Sequence, residues 1–423
     1  MNSPDSPLAS ASLATPGNLS PKRERIAQWT LLLGAFAFGA AGVLTPPIHY
    51  AGYSLAFIGL LLYGVPLHRF PLRWPMLVLM VWLLVVALCA PDTDSKRFHN
   101  LLYGLPVLVV GWGIGARPAA AKTFCWGVLA GVGISGLLAV LQFTIGLDRE
   151  ARPFRIGSNG EHWFAVGFMG HHIRFGTSMA LATMVMLTAA PLLLKRRWWL
   201  AGGILSSLCV LMSGARGAAL ALIGGVGSWM ITGGGKKRIS LGITGVSGLA
   251  ATALSSLYFI HPARFDRMMS GDDPRIALWR GTITMIQEHP WFGVGPKGFT
   301  PTYLEGMADG RYTQLTDMGA SAHAHNTILH TLATIGIPGF IIVCWLLIAA
   351  FIHLWQRRKI SPIGWALGIS ALGVFIIGGM TEEYLGLTTM RSFFFSVLGV
   401  ALGWYATQAS SGESDTKDLK DLA

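Results

Sequence analysis

Again and again along this chain, apolar residues run for about the 20 positions that a helix needs to cross the hydrocarbon core of a bilayer. Such stretches fall near 28–44, 49–66, 74–90, 100–115, 121–146, 175–194, 198–214, 217–234, 239–260, 325–355, 361–380 and 390–407. Short polar or basic breaks separate them. A soluble fold of 423 residues, 52% hydrophobic and 12% charged, has no interior large enough to hide this much apolar surface. The expectation is an all-α polytopic membrane protein of about 12 transmembrane helices. A membrane β-barrel would instead show shorter segments of alternating polarity, which unbroken runs such as Pro75 to Ala90 exclude.

Basic loops resist translocation, so the placement of Lys and Arg orients the chain. With the amino terminus inside, one side of the predicted topology holds 18 of the 32 basic residues and 6 of the 20 acidic ones. The whole net charge of +12 therefore lies on the face expected to be cytoplasmic, with both termini. The excess of positive charge is thus explained by topology, and no nucleic-acid partner is implied. Cys89, Cys125, Cys209 and Cys344 all fall in predicted spans, which argues against a disulfide framework or a thiolate metal site.

The predicted organisation follows. Residues 1–25 form a disordered cytoplasmic tail, and 26–260 hold nine spans with an outward loop near 146–175. Residues 261–324 form a large outward loop or subdomain, 325–408 hold three more spans, and 409–423 form a second cytoplasmic tail. Loops of this length are commonly functional or disordered, and the composition of both favours function. In the larger one, Asp272-Asp273-Pro274 reads as a helix start, with a helix near 274–289 that stops at Pro290. Arg275 and Trp279 share a face of it, with Arg280 beside them.

Three groups of residues carry candidate chemistry. Arg216 lies in a tight hairpin between two spans, close to hydrocarbon depth, where it either serves a polar site or snorkels to the interface. His323 and His325-Asn326 stand where the large loop re-enters the membrane. There an imidazole acts as a general base toward a hydroxyl or caps the helix, and His-x-His without a third ligand at ligand spacing is weak support for a metal. Further arginines gather on the same face: Arg275 and Arg280, with Arg149, Arg152, Arg155 and Arg174 in the earlier loop near His162, His171 and His172. Converging guanidinium groups hold phosphate oxygens through paired donors, so a phosphorylated lipid carrier is the indicated ligand class, although an ion pair is the simpler fate of any single one. Glu382 and Glu383, in the last outward turn, are expected partners of Arg391. No Gly-rich phosphate loop or nucleotide-binding domain is present in the sequence, which argues against cytoplasmic use of ATP or nucleotide sugars.

On these residues the chain resembles the O-antigen ligase and polymerase superfamily of bacterial envelope glycosyltransferases, and within it the O-antigen ligases. Arg216-Gly-Ala-Ala-Leu220 is similar to the family's Arg-x3-Leu element, and His325-Asn326, nine residues before Gly336-x-x-Gly339, to its His-[Asn/Ser/Gln]-x9-Gly-x-x-[Gly/Thr/Tyr] element. The resemblance implies a multi-pass protein of the bacterial inner membrane whose working face is periplasmic. It implies transfer of glycan from undecaprenyl pyrophosphate to a sugar hydroxyl of lipid A-core, inverting and with no metal or other cofactor. His325 would be the base, and Arg216 and Arg275 would bind the pyrophosphate. Arg280, Asn326, His323, Arg155, Arg174 and His171 would complete the substrate site. An O-antigen polymerase or an O-linked protein glycosyltransferase shares the pattern, and a secondary transporter is the alternative from another class.

Overall fold

The computed structural model describes residues 20–64, 67–90, 95–147, 152–155, 161–189, 196–232, 240, 243, 274–312 and 323–404. The expected span at 239–260 and both expected tails lie wholly or largely outside these residues.

Helices occupy the eleven other apolar stretches. They are α1 (Pro21–Ala41), α2 (Pro46–Leu62), α3 (Arg73–Cys89), α4 (Ser95–Gly115) and α5 (Pro118–Ile145). After a loop come α6 (His172–Ala189), α7 (Arg196–Met212) and α8 (Arg216–Ile231). Two helices, α9 (Pro274–Glu288) and α10 (Phe299–Ala308), precede α11 (Thr327–Gln356), α12 (Pro362–Gly379) and α13 (Thr388–Gly403). Among the described residues, α5, α11 and α12 are each long and apolar enough to cross a membrane, and six shorter helices are apolar. Large apolar side chains stand exposed on α1, α3 and α11, among them Trp29, Leu33, Leu84, Ile341 and Ile348. Water would not tolerate that surface and lipid does, so the chain is a helical membrane protein.

One difference from the all-α expectation lies in the loop after α5. There β1 (Arg152–Arg155) pairs antiparallel with β2 (Glu161–Phe164), with Arg155 opposite Glu161. Apolar periodicity had no means of detecting so short a hairpin, because four-residue strands are too short to show an alternation.

Small residues let the helices approach closely. A Cβ on Gly115 of α4 would lie 2.1 Å from the Val400 carbonyl oxygen of α13, so no larger side chain fits there. The main apolar core runs through α1 to α8 and α11 to α13. A second, smaller core joins Leu278 and Met285 of α9, Val294, Phe299 and Tyr303 to Ala324 and Ala333.

That second core is fixed to a break in α11. Gly336 has φ +72° and ψ 176°, which interrupts the helix. Breaking a helix orphans backbone groups, and each must find a partner. Here the turn 290–295 supplies them: Val294 N–H donates to the Ala333 carbonyl (2.8 Å), Gly295 N–H to that of Thr334 (3.0 Å), and Ile337 N–H to that of Pro290 (2.8 Å). The indole N–H of Trp82, from α3, donates to the Ile335 carbonyl at 2.9 Å. A Cβ on Gly336 would lie 2.0 Å from the Trp291 carbonyl oxygen, and one on Gly339 would lie 2.7 Å from the Trp82 indole nitrogen. The Gly-x-x-Gly element is therefore architectural: it lets turn and helix meet. Below the break, 337–356 is about 30 Å long at about 1.5 Å per residue, the thickness of a hydrocarbon core.

Candidate active site

Above the break, α11 begins at a cluster built from four distant segments. Asn326 caps the helix, its side-chain oxygen accepting from Leu329 N–H at 3.0 Å, while its amide donates to the Met380 carbonyl at 3.1 Å. Thr327 Oγ1 donates to the Glu382 carbonyl (2.8 Å) and accepts from Tyr384 N–H (3.0 Å). These bonds lock the 380–384 turn onto the start of α11. They hold the Glu382 carboxylate between two partners: His325 Nδ1 at 2.9 Å from one oxygen and an Arg275 guanidinium nitrogen at 2.9 Å from the other.

The hydrogen bond sets the tautomer. An ionised carboxylate only accepts, so Nδ1 of His325 is the donor in this bond and Nε2 is the ring nitrogen left for another partner. Burial alone would raise the Glu382 carboxyl. The hydrogen bond from His325 and the charges of His325, Arg275 and His323 outweigh it and hold that carboxyl below its ordinary range. Backbone strain reinforces the placement: His325 has φ +48°, in the left-handed region that non-glycine residues seldom occupy. Its neighbours hold it there. Trp279, a turn beyond Arg275 on α9, donates its indole N–H to the Ala324 carbonyl at 3.0 Å and so fixes the residue before His325.

His323 lies beside His325, the two rings 4.3 Å apart. Burial, with the charges of His325, Arg174 and His171 opposing that of Glu382, pushes its imidazole down to about 4, so it is neutral at pH 7. The fold thus gathers His325, His323, Arg275 and Asn326 around Glu382, with Arg174 and His171 within electrostatic reach of His323. Arg216 opens α8 at the same place, because a Cβ on the next residue, Gly217, would meet Thr381 Oγ1 at 2.7 Å and Glu382 Cγ at 3.0 Å.

Two sequence candidates are placed otherwise. Arg280 is exposed and lies roughly 140° around α9 from Arg275, given about 100° per helical residue. Arg155 stands on β1, and its side chain lies outside the described ones. The expected pairing of Glu382 with Arg391 is corrected: Glu382 turns to Arg275 and His325, while Arg391 donates to the Leu385 carbonyl and lies within the electrostatic reach of Glu383. Sequence reasoning had no signal for this, since 57 residues separate His325 from Glu382.

Donor atoms of His323, His325 and Glu382 lie within 4.8 Å of one another, the third ligand that His-x-His lacks in sequence. The set fits a cation poorly. Both Glu382 oxygens are engaged, and one of the partners is the Arg275 cation, which a metal would have to displace.

A cavity of about 880 Å³ opens beside the cluster. His323, Arg174, Lys297, Thr300, His330 and Glu383 line its polar part, and Leu79, Leu83, Leu105, Val343, Leu346 and Leu347 its apolar part. From His330 to Leu347 it follows α11 for about 25 Å at about 1.5 Å per residue. Such a space accepts a molecule with a polar head and a long apolar chain.

A model of the O-antigen ligase family matches residues 201–344, the segment from α7 into α11 that carries Arg216, Arg275, His323 and His325. The likeness to that superfamily drawn from the motifs therefore holds over this segment. Glu382, Arg174 and His171 lie outside it. No curated protein matches the chain.

Proposed function

We propose, with the O-antigen ligase family match as premise, that this protein transfers O-antigen glycan from undecaprenyl pyrophosphate to a sugar hydroxyl of lipid A-core. The observation that carries the reading is an imidazole oriented by a buried carboxylate at the edge of a cavity whose apolar part follows α11 from Ile335 to Leu347, about 18 Å at about 1.5 Å per residue, close to the depth of one leaflet. A base at that position meets lipid-anchored substrates without drawing either out of the membrane.

In this mechanism, Nε2 of His325 takes the proton of the acceptor hydroxyl as its oxygen attacks the anomeric carbon. The bond from that carbon to the pyrophosphate oxygen breaks on the opposite face, so the configuration inverts. The electron pair leaves with the pyrophosphate, whose charge Arg216 and Arg275 stabilise together. Glu382 holds the imidazole in its working tautomer and stabilises the imidazolium that forms. Asn326 fixes the helix start, and His171 and His323 shape the acceptor side. Twelve spans, cytoplasmic termini and a periplasmic working face in the bacterial inner membrane complete the proposal, in keeping with the charge distribution.

Reconstituted transfer tests it: purified protein, lipid-linked glycan and chelator, with rough lipopolysaccharide, carrier-linked glycan and a pilin offered as rival acceptors. Product on lipopolysaccharide that falls by a factor on the order of 10²–10⁴ in His325→Ala is the expected result. Product on one of the other acceptors instead would make the protein a polymerase or a protein glycosyltransferase, and unimpaired transfer by the variant would remove His325 from the chemistry.

A further inference from the structure

The cavity wall holds two buried polar groups that the proposed transfer leaves idle. His330, the fourth residue of α11, is 6% exposed and packs its ring against that of Phe299, the centroids 5.0 Å apart. Its Nδ1 has no hydrogen-bond partner. Glu383, from the 380–384 turn, is 1% exposed; its Oε1 accepts from Gly386 N–H, and its Oε2 has no partner. Both residues line the cavity, and so does Gly386. Buried polar atoms are nearly always paired, so two of them bordering one cavity mark a place where a ligand completes the pairing. The hydroxyls nearby are already spent: Thr331 Oγ1 donates to the Thr327 carbonyl at 2.6 Å, and Thr334 Oγ1 to that of His330 at 2.7 Å.

The two groups border one small space. A Cβ on Gly386 would stand 3.4 Å from Glu383 Oε1 and 3.5 Å from His330 Nε2, in van der Waals contact with both, and glycine leaves that space open to the cavity. Its chemistry is neutral. Burial pushes the Glu383 carboxyl up to about 8, against the pull of the Gly386 and Leu385 amides and of Arg391, so it holds its proton at pH 7. Because Oε1 accepts from Gly386, that proton lies on Oε2, which then donates. An imidazole nitrogen accepts or donates according to its tautomer. A hydroxyl both donates and accepts, so one such group pairs with the acid and the imidazole together, whereas an ammonium offers the acid proton no acceptor. The place also suits a sugar: the His323 ring, 4.3 Å from that of His325, is 6.4 Å from that of His330, which puts the space within reach of a short saccharide held at His325.

We infer that His330 and Glu383 form a neutral specificity subsite for a saccharide hydroxyl other than the reacting one, with Glu383 donating to it and His330 Nδ1 pairing with it. The assignment deepens the proposed transfer and rests on it only for the hydroxyl belonging to a sugar. Two substrates carry such a group: the glycan of the donor and the core saccharide of the acceptor.

Binding to full-length protein in nanodiscs of zwitterionic lipid separates them, with thermal unfolding as a check that each variant is folded. Three probes are titrated: undecaprenyl diphosphate without glycan, the same carrier with its glycan, and rough lipopolysaccharide. His330→Phe, which keeps the ring packing, and Glu383→Leu should each weaken a saccharide-bearing probe by about fivefold to tenfold and leave the glycan-free carrier within about twofold of wild type. Glu383→Gln, neutral and still able to donate, should bind every probe within about threefold. Should Glu383→Leu fail to fold, His330→Phe and Glu383→Gln carry the test. Loss confined to the glycan-linked carrier assigns the subsite to the donor sugar, and loss confined to lipopolysaccharide assigns it to the acceptor. If neither saccharide probe is weakened, or if the glycan-free carrier is weakened as much, the hydroxyl subsite is refuted, whatever the transfer assay gives. If binding follows the expected pattern yet the wild type transfers glycan to no acceptor, the subsite stands and the transfer reading falls.

Discussion

Above Gly336, α11 is tied by polar bonds to three other segments of the chain; below it, the same helix turns Ile341, Trp345, Ile348 and Ile352 outward as a continuous apolar stripe. The lower part is stabilised by its own backbone ladder and its solvent, the lipid. The upper part depends on groups that arrive from elsewhere: Trp82 from α3, the turn 290–295, and the 380–384 turn. One helix thus shows where a membrane protein keeps its rigid scaffold and where it keeps its chemistry. The break between them is what allows the turn 290–295 to be seated against α11.

The largest effect expected from upsetting this contrast is that of Gly336→Ala. Left-handed backbone strain costs about 1–3 kcal/mol, and the Trp291 carbonyl, 2.0 Å from the new Cβ, would also have to move. A loss of about 3 kcal/mol or more, read as a lowered unfolding midpoint in detergent, is expected. A stability equal to wild type would mean that the break does not hold the turn.

Glu382→Gln should be next, cutting transfer by about 10–100-fold through a misoriented imidazole while changing KM little. It also has a signature in pH. The Glu382 carboxyl is held below its ordinary range, so its stabilising contribution is complete above that range and is lost as pH falls through the depressed value. The variant should therefore flatten the acid limb of a plot of thermal stability against pH. An unchanged acid limb together with full activity would reduce the ion pair with Arg275 to a bystander.

Trp82→Phe keeps an aromatic ring but removes the donor to the Ile335 carbonyl, with an expected cost of about 1 kcal/mol in the same unfolding assay. Smallest of all should be Ile348→Ala on the lipid-facing stripe, within about 0.5 kcal/mol of wild type. A larger loss there would show that the face is packed against protein and not lipid.

Much of this molecule was legible before any coordinates. Apolar runs marked the helices because a membrane imposes one length and one composition on any segment that crosses it. His325 and Asn326 were visible as a helix start, and Arg275 and Trp279 as one face of a helix, since such relations lie within a few residues of one another. The role of Glu382 was hidden, for it meets His325 and Arg275 only when α8, α9, α11 and the 380–384 turn converge.

The amino-acid order alone decided which segments become helices and what solvent surrounds them, because those outcomes follow from local periodicity and bulk hydrophobicity. Tertiary structure alone decided which carboxylate orients the imidazole, which turn fills the break at Gly336, and where the cavity opens. Hydrogen-bond partners and cavity walls join positions with no fixed spacing in the chain, and only packing brings them within 3 Å of one another.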